Sequence, residues 1–341
     1  MLNQVYRLVS PKQFEAITVN EEVTDETLII RPTYLSICHA DQRYFTGTRG
    51  KEAMAKKLPM ALIHEGIGKV IHDPKGEFQK GDHVVMVPNT PMEEDEVIHE
   101  NYLKSTKFRS SGYDGYMQEY VFLRRDRAIK IPEDFDLEVS AFLELISVAF
   151  HTIKRAEKSM NKDTSILGVW GDGNLGYITS LLLSRRYPES KIYVFGKHEM
   201  KLEYFSFADS VFSINQIPED LEISHAFECT GGMGSQYAVK QIIDHIKPEG
   251  TIALMGVSEN PIEINTRMVL ERGLTLIGSS RSGVEDFKET IEFLAEHPGA
   301  RRRLRQLVGI RKKIVTIEDM ISFFEDELTN SWGKAVMQWE V

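Results

Sequence analysis

The chain has 341 residues, a mixed composition with 42% hydrophobic residues, and a net charge of −10. That surplus of acid argues against non-specific nucleic-acid binding, so any anionic ligand needs a local basic patch. No apolar run approaches the ~20 residues of a membrane span. Cys38 and Cys229 are the two cysteines, too few for a disulfide framework, and they read as reduced thiols. The N-terminus has no charged-then-apolar leader pattern, and a cytoplasmic location is expected.

Residues 1 to 147 read mostly as strands and loops, with strands at 27–30, 34–38, 83–87 and 120–123 between Gly and Pro punctuation. From Glu138 the pattern changes. Val139, Phe142, Leu143, Ile146, Phe150 and Ile153 recur at helical spacing and predict a crossover helix. A short apolar run then ends in Gly171-Asp172-Gly173-Asn174-Leu175-Gly176, followed by a helical segment and a second strand at 191–195. Strand, glycine turn, helix and strand in that order mark a dinucleotide site. Gly171 makes the tight turn, Gly173 admits a pyrophosphate to the backbone, and Gly176 lets helix and strand pack. The helix start at Asn174-Leu175 brings N–H groups and a partial positive charge. Alternating elements continue at 226–229, 234–246, 251–255 and 274–279, and the chain ends in helices and a strand-like Lys334–Trp339. The expected architecture is α/β: a β-rich catalytic domain from 1–147 and 282–341, and a doubly wound parallel-sheet domain from 148–281.

The first domain holds Cys38 in SICHADQRYFTG and His64-Glu65 in LIHEGIGKV. Zinc takes thiolate, imidazole and carboxylate, and a catalytic zinc keeps one position open. The same residues also fit a small buried cysteine and a satisfied loop histidine, so residue types alone leave the metal open.

The motif H-E-G-x-G, with a cysteine upstream and G-x-G-x-x-G downstream, resembles the zinc-dependent medium-chain dehydrogenase/reductase superfamily. SGYDGYMQEYV from Ser111, Leu143-Glu144-Leu145, and Phe227-Glu228-Cys229-Thr230-Gly231 agree with it, in the superfamily's order. The resemblance implies a GroES-like catalytic domain beside a Rossmann domain. It implies Cys38, His64 and Glu65 as zinc ligands and Glu144 as a fourth carboxylate. Read alone, Glu144 lies off its helix's apolar stripe and fits a solvated acid, and no proline follows it as in the superfamily pattern. The resemblance gives Asp41 as the carboxylate that orients the ligand histidine, a position that also suits a turn-forming Asp. It gives Tyr44 as a substrate-side tyrosine, which otherwise reads as a core aromatic. Ala40 stands where many relatives carry the hydroxyl that starts a proton relay, so the relay would use water, Tyr44 or Glu65. Residues 89–112 contain no cysteine where many relatives carry a four-cysteine lobe, so one catalytic zinc and no structural zinc is expected.

The second strand of the nucleotide domain runs into VFGKHEMKL. NAD enzymes place an acid there for the ribose 2′-hydroxyl. Here Gly196 takes its place, flanked by Lys197 and Lys201, a pattern that favours NADP(H). His39, after the ligand cysteine, could reach the pyrophosphate or could be an exposed histidine. Along the whole chain, SICxADQRY, KLPMxLIHEG, VPNTP, ENYLKS, FRSSG, WGDGNLGY and LIGSSRSG together resemble the ribulose-5-phosphate reductases (ribitol-5-phosphate dehydrogenases) of wall teichoic acid synthesis. That family reduces D-ribulose 5-phosphate to D-ribitol 5-phosphate with NADPH, and a cytidylyltransferase then makes CDP-ribitol. The resemblance implies a sugar-phosphate substrate. The alternative is another zinc-dependent polyol or sugar dehydrogenase acting on an unphosphorylated substrate. A phosphate needs a cation fork, for which Arg109 in FRSSG and Arg281 in GSSRSG rank ahead of Lys104 and Lys107. Leu274-Thr275-Leu276-Ile277-Gly278 reads as an edge strand, and relatives pair there, so a homodimer is expected.

Overall fold

Strands Leu2–Ser10 and Gln13–Asn20 open the chain as an antiparallel hairpin, with the short Met60–Ala61 pairing on the far side of the first strand. The computed structural model describes residues 1–341 and divides them into two units, Met1–Leu145 with Ser282–Val341, and Ile146–Arg281. The division between the units falls at 145/146, within the helix Leu143–Glu157 and two residues before the expected domain boundary at 147/148.

The first unit is built on a seven-stranded sheet. Its order is Ala128–Lys130, His83–Met86, Glu65–His72, Thr27–Ser36, Lys334–Trp339 and Val308–Ile314, with Val121–Arg124 also on Thr27–Ser36. The last two strands in that order run parallel and are joined by the helix Ile317–Thr329. The C-terminal strand therefore lies inside the sheet, antiparallel to Thr27–Ser36. Its Trp339 meets the Tyr6 ring edge-on at 5.7 Å and donates its indole N–H to the Gln118 carbonyl at 2.9 Å. Phe14, Phe45 and Phe324 pack together, the last two stacked at 4.7 Å. Burying each such ring contributes about 1.5–3 kcal/mol, so the terminal helix and strand are held in the core by apolar area.

The second unit carries a six-stranded, all-parallel sheet. Its order is Ser210–Ser213, Lys191–Gly196, Ile166–Trp170, His225–Glu228, Thr251–Leu254 and Thr275–Gly278. That is the 3-2-1-4-5-6 order of a dinucleotide-binding sheet, in which the first βα turn leads into the ligand crevice. The turn is the glycine motif. Gly171 sits at φ +135°, where an L side chain is strained, and a Cβ on Gly176 would collide with the Gly171 carbonyl. Trp170 stacks on Phe195 at 3.7 Å and Phe195 on Phe212 at 5.3 Å, which ties the first three strands in that order together by their side chains. No helix is long and apolar enough to cross a membrane.

Candidate active site

Cys38 is the N-cap of the helix His39–Phe45, and Asp41 in its first turn reaches back to accept the Cys38 N–H at 3.2 Å. The same buried carboxylate accepts the Ile63 N–H at 3.1 Å and the Ser110 hydroxyl at 2.6 Å, and lies 3.6 Å from His64 Nδ1. Ile63 is held at φ +71°, a strained conformation for a β-branched residue, directly before His64. Ser110 is likewise left-handed, at +59°. Glu65 opens the next strand. As a result, one donor atom from each of Cys38, His64 and Glu65 lies within 4.8 Å of the others.

Glu65 uses one carboxylate oxygen to accept from Lys334 Nζ at 2.8 Å, and Lys334 also donates to the Ile37 carbonyl at 2.8 Å. The other oxygen, Oε2, is buried and accepts no hydrogen bond. An unsatisfied buried carboxylate oxygen is costly unless something cationic meets it. Thiol, imidazole and that oxygen form a donor set that fits zinc. The electrostatics agree. Burial alone would lower the His64 imidazole, but Asp41 and Cys38 carry it well above the usual histidine range. Burial likewise opposes the Lys334 ammonium, and Glu65 and Cys38 hold it charged. Asp41 is pushed up by burial yet ends below the ordinary range because of His64, Ser110 and the Ile63 N–H.

Glu144, which read alone suited a solvated acid, is 5% exposed. Burial pushes its carboxyl up to about 7, with His64 and Lys334 opposing and Glu65 and Asp41 adding to the rise. It feels the cluster's field without being one of its three close donors. Tyr44 lies on the Cys38 helix, and its buried hydroxyl has no hydrogen-bond partner. His39 is exposed, and partial desolvation together with Arg43 and Lys334 lowers its pKa. Lys334 was not legible beforehand, because a lysine opening a terminal strand carries no sign of burial until the strand is placed beside Glu65.

In the nucleotide unit, Gly173 is an extended N-cap with open space around its Cα, and no side chain caps the helix Asn174–Arg186. Anions bind at such helix starts. Asp172, in the same turn, spans to the next strand. Its Oδ2 accepts the N–H groups of Lys197 at 2.7 Å and His198 at 2.6 Å and meets His198 Nδ1 at 3.0 Å. A Cβ on Gly196 would lie 2.7 Å from Asp172 Cβ. The missing acid at 196 therefore has a steric cause. Lys197 is exposed and Lys201 half-buried.

Together with Arg281, Arg109 is the residue ranked first for a substrate phosphate. Its two terminal nitrogens donate to the Asp114 carbonyl at 3.1 Å and the Phe122 carbonyl at 2.6 Å, bracing a loop against a strand. Arg281 is half-buried at φ +59°. Lys107 lies with its ammonium 5.1 Å from the Tyr113 ring.

Comparison with known proteins follows this geometry. The model of the alcohol dehydrogenase GroES-like domain matches residues 24–133, and that of the zinc-binding dehydrogenases matches 202–296. Over 341 residues the chain is 57% identical to a ribulose-5-phosphate reductase of Bacillus spizizenii, covering all of both chains. The chain belongs to the ribulose-5-phosphate reductase family of zinc-binding dehydrogenases. It is 56% identical to ribulose-5-phosphate reductase 1 of Staphylococcus aureus, over 99% of each chain. The crystal structure of S. aureus TarJ in complex with NADPH covers both chains fully at 51% identity, with a TM-score of 0.90. The galactitol-1-phosphate dehydrogenase of Escherichia coli shares the fold at 17% identity and a TM-score of 0.81.

Two outcomes follow from this geometry. Lys334→Met leaves Glu65 buried without its cation and should destabilise the protein by about 3–5 kcal/mol, read as a fall in Tm and in the denaturant midpoint. Asp172→Ala frees the 197–198 main chain and should raise KM for NADPH several-fold with a smaller change in kcat. An unchanged KM would remove Asp172 from coenzyme recognition.

Proposed function

We propose that the chain is a zinc-dependent, NADPH-linked oxidoreductase that reduces D-ribulose 5-phosphate to D-ribitol 5-phosphate. The observation that carries this reading is its full-length identity with ribulose-5-phosphate reductases, in a chain whose thiol, imidazole and carboxylate converge within 4.8 Å. One zinc is held by Cys38, His64 and Glu65, with Glu144 as the fourth carboxylate. There is no structural zinc, because 89–112 lacks the cysteines to hold one. NADP(H) rests its pyrophosphate on Gly171, Gly173, Asn174, Leu175 and Gly176, and its 2′-phosphate beside Lys197 and Lys201.

Bound in these places, zinc supplies Lewis acidity for a ketone oxygen and NADPH supplies a hydride. The chain's own residues prepare for both. Asp41 faces Nδ1 of His64 and so leaves the other ring nitrogen for the metal. Lys334 balances Glu65 inside the core. Ala40 has no hydroxyl, so the proton that completes the product alcohol passes through water, Tyr44 or Glu65.

The product of this reaction would pass to a cytidylyltransferase that makes CDP-ribitol for poly(ribitol phosphate) wall teichoic acid, in the cytoplasm. The strand Thr275–Gly278 has one neighbour in its sheet, and such an edge supports a homodimer formed by pairing across it.

The deciding assay is NADPH oxidation with D-ribulose 5-phosphate, run beside NADH, beside free D-ribulose, and with a zinc chelator. Phosphate-dependent, NADPH-preferring, chelator-sensitive turnover is expected, with one zinc per chain by elemental analysis. Cys38→Ser should abolish turnover while leaving NADPH binding nearly intact. Turnover of an unphosphorylated sugar or polyol without turnover of the phosphate would discard the sugar-phosphate assignment and keep the fold and the metal.

A further inference from the structure

A sugar phosphate carries its ketone near one end and its dianion at the other. Arg109 donates from both terminal nitrogens to backbone carbonyls, which turns attention to other cations of the catalytic unit. Two lie against the same aromatic ring. The Arg49 guanidinium carbon lies 4.8 Å from the centre of the Tyr44 ring, and Lys57 Nζ lies 5.9 Å from it. Tyr44 is on the helix that Cys38 opens. Lys57 is half-buried at the end of the helix Lys51–Lys57, and its hydrogen-bond partner is neutral, the Ser111 hydroxyl at 2.9 Å, with no carboxylate. A half-buried ammonium that meets only a hydroxyl and a ring face is poorly compensated, and a phosphate would complete it.

This cluster is tied to the metal-binding residues through adjacent serines. Ser111 takes Lys57, while Ser110 donates to Asp41 at 2.6 Å, and Asp41 lies 3.6 Å from His64. The left-handed φ of +59° at Ser110 is what turns its hydroxyl back to Asp41.

We propose that Lys57 and Arg49, set over the Tyr44 ring and backed by Ser111, form the subsite for the substrate's phosphate monoester. This rests on the sugar-phosphate reading above and deepens it. The ring holds the cations in place by cation–π attraction, so less ordering is needed when the phosphate arrives. Arg49 offers a planar donor fork and Lys57 a point charge, a combination suited to a dianion.

The test is steady-state kinetics of Lys57→Ala, Arg49→Ala and Lys57→Arg beside wild type. D-ribulose 5-phosphate is the substrate and inorganic phosphate the inhibitor, with NADPH affinity as the check on folding. Losing a charge-assisted contact should raise KM for the phosphorylated substrate at least about ten-fold in each alanine variant, with a smaller fall in kcat. Inhibition by inorganic phosphate should weaken in parallel, and Lys57→Arg should recover most of the loss. Equal loss in kcat with KM unchanged, or undiminished phosphate inhibition in both alanine variants, would overturn the subsite. If wild type fails to turn over ribulose 5-phosphate, the proposed activity falls. Isothermal titration with inorganic phosphate then decides the subsite separately: binding by wild type that Lys57→Ala loses supports it, and no binding by wild type sinks it.

Discussion

The Asp41 carboxylate is the interaction on which the catalytic unit depends. It is fully buried, and a buried carboxylate is tolerable only when nearly every acceptor site is filled. Here the donors come from three separate stretches: the Cys38 N–H, the Ile63 N–H and the Ser110 hydroxyl. Satisfying one acid therefore fixes the helix that carries Cys38, the strained residue before His64, and the serine turn. The positive φ at Ile63 and Ser110 is sustained by those bonds, since neither residue type would adopt it unaided. The approach of Cys38, His64 and Glu65 follows from this arrangement.

The pair of Glu65 and Lys334 extends the same logic to the end of the chain. Its partners are 269 residues apart in sequence and 2.8 Å apart in space. They meet because Lys334–Trp339 is inserted beside Thr27–Ser36 and is held there by Trp339 and the packed aromatic rings. Such a pair adds little net stability, because desolvation offsets its attraction. Its effect is on charge. Lys334 neutralises one oxygen of Glu65 and leaves Oε2 unsatisfied next to a thiol and an imidazole, so the site retains a deficit of positive charge that a divalent cation can fill.

Features that obey a local rule were legible before the structure. The glycine motif requires a tight turn and close packing, and Gly171 and Gly176 meet those demands. Cys38 and His64-Glu65 suit zinc by donor type, but it is the resemblance to the dehydrogenase superfamily that singles them out. What escaped reading depends on partners distant in sequence. Lys334 looked like any strand lysine. Asp172 looked like a filler between two glycines, although its carboxylate occupies the space a side chain at 196 would need and holds the next two N–H groups. The Ser/Gly-rich turn of FRSSG reads as an anion site in sequence, and its wider bonding shows only in the fold. Its serines face Asp41 and Lys57, and its arginine donates to the Asp114 and Phe122 carbonyls.

These observations bear on how a chain of net charge −10 can take two phosphorylated ligands. A diffuse acidic field repels anions at long range but is screened beyond about 8–10 Å at physiological salt. Within that distance the local arrangement decides. In the nucleotide unit, the acid nearest Lys197 has its negative charge directed into two main-chain N–H groups and a histidine ring. In the catalytic unit, Asp41 is enclosed by donors and Glu65 by a lysine, while Lys57 meets only a hydroxyl and a ring face. Asp172 and Asp41 are met by internal donors, while Lys197 is exposed and Lys57 meets no carboxylate. Selectivity for phosphorylated ligands then arises from which charges the fold has already neutralised, and the sign of the whole protein has little bearing on it.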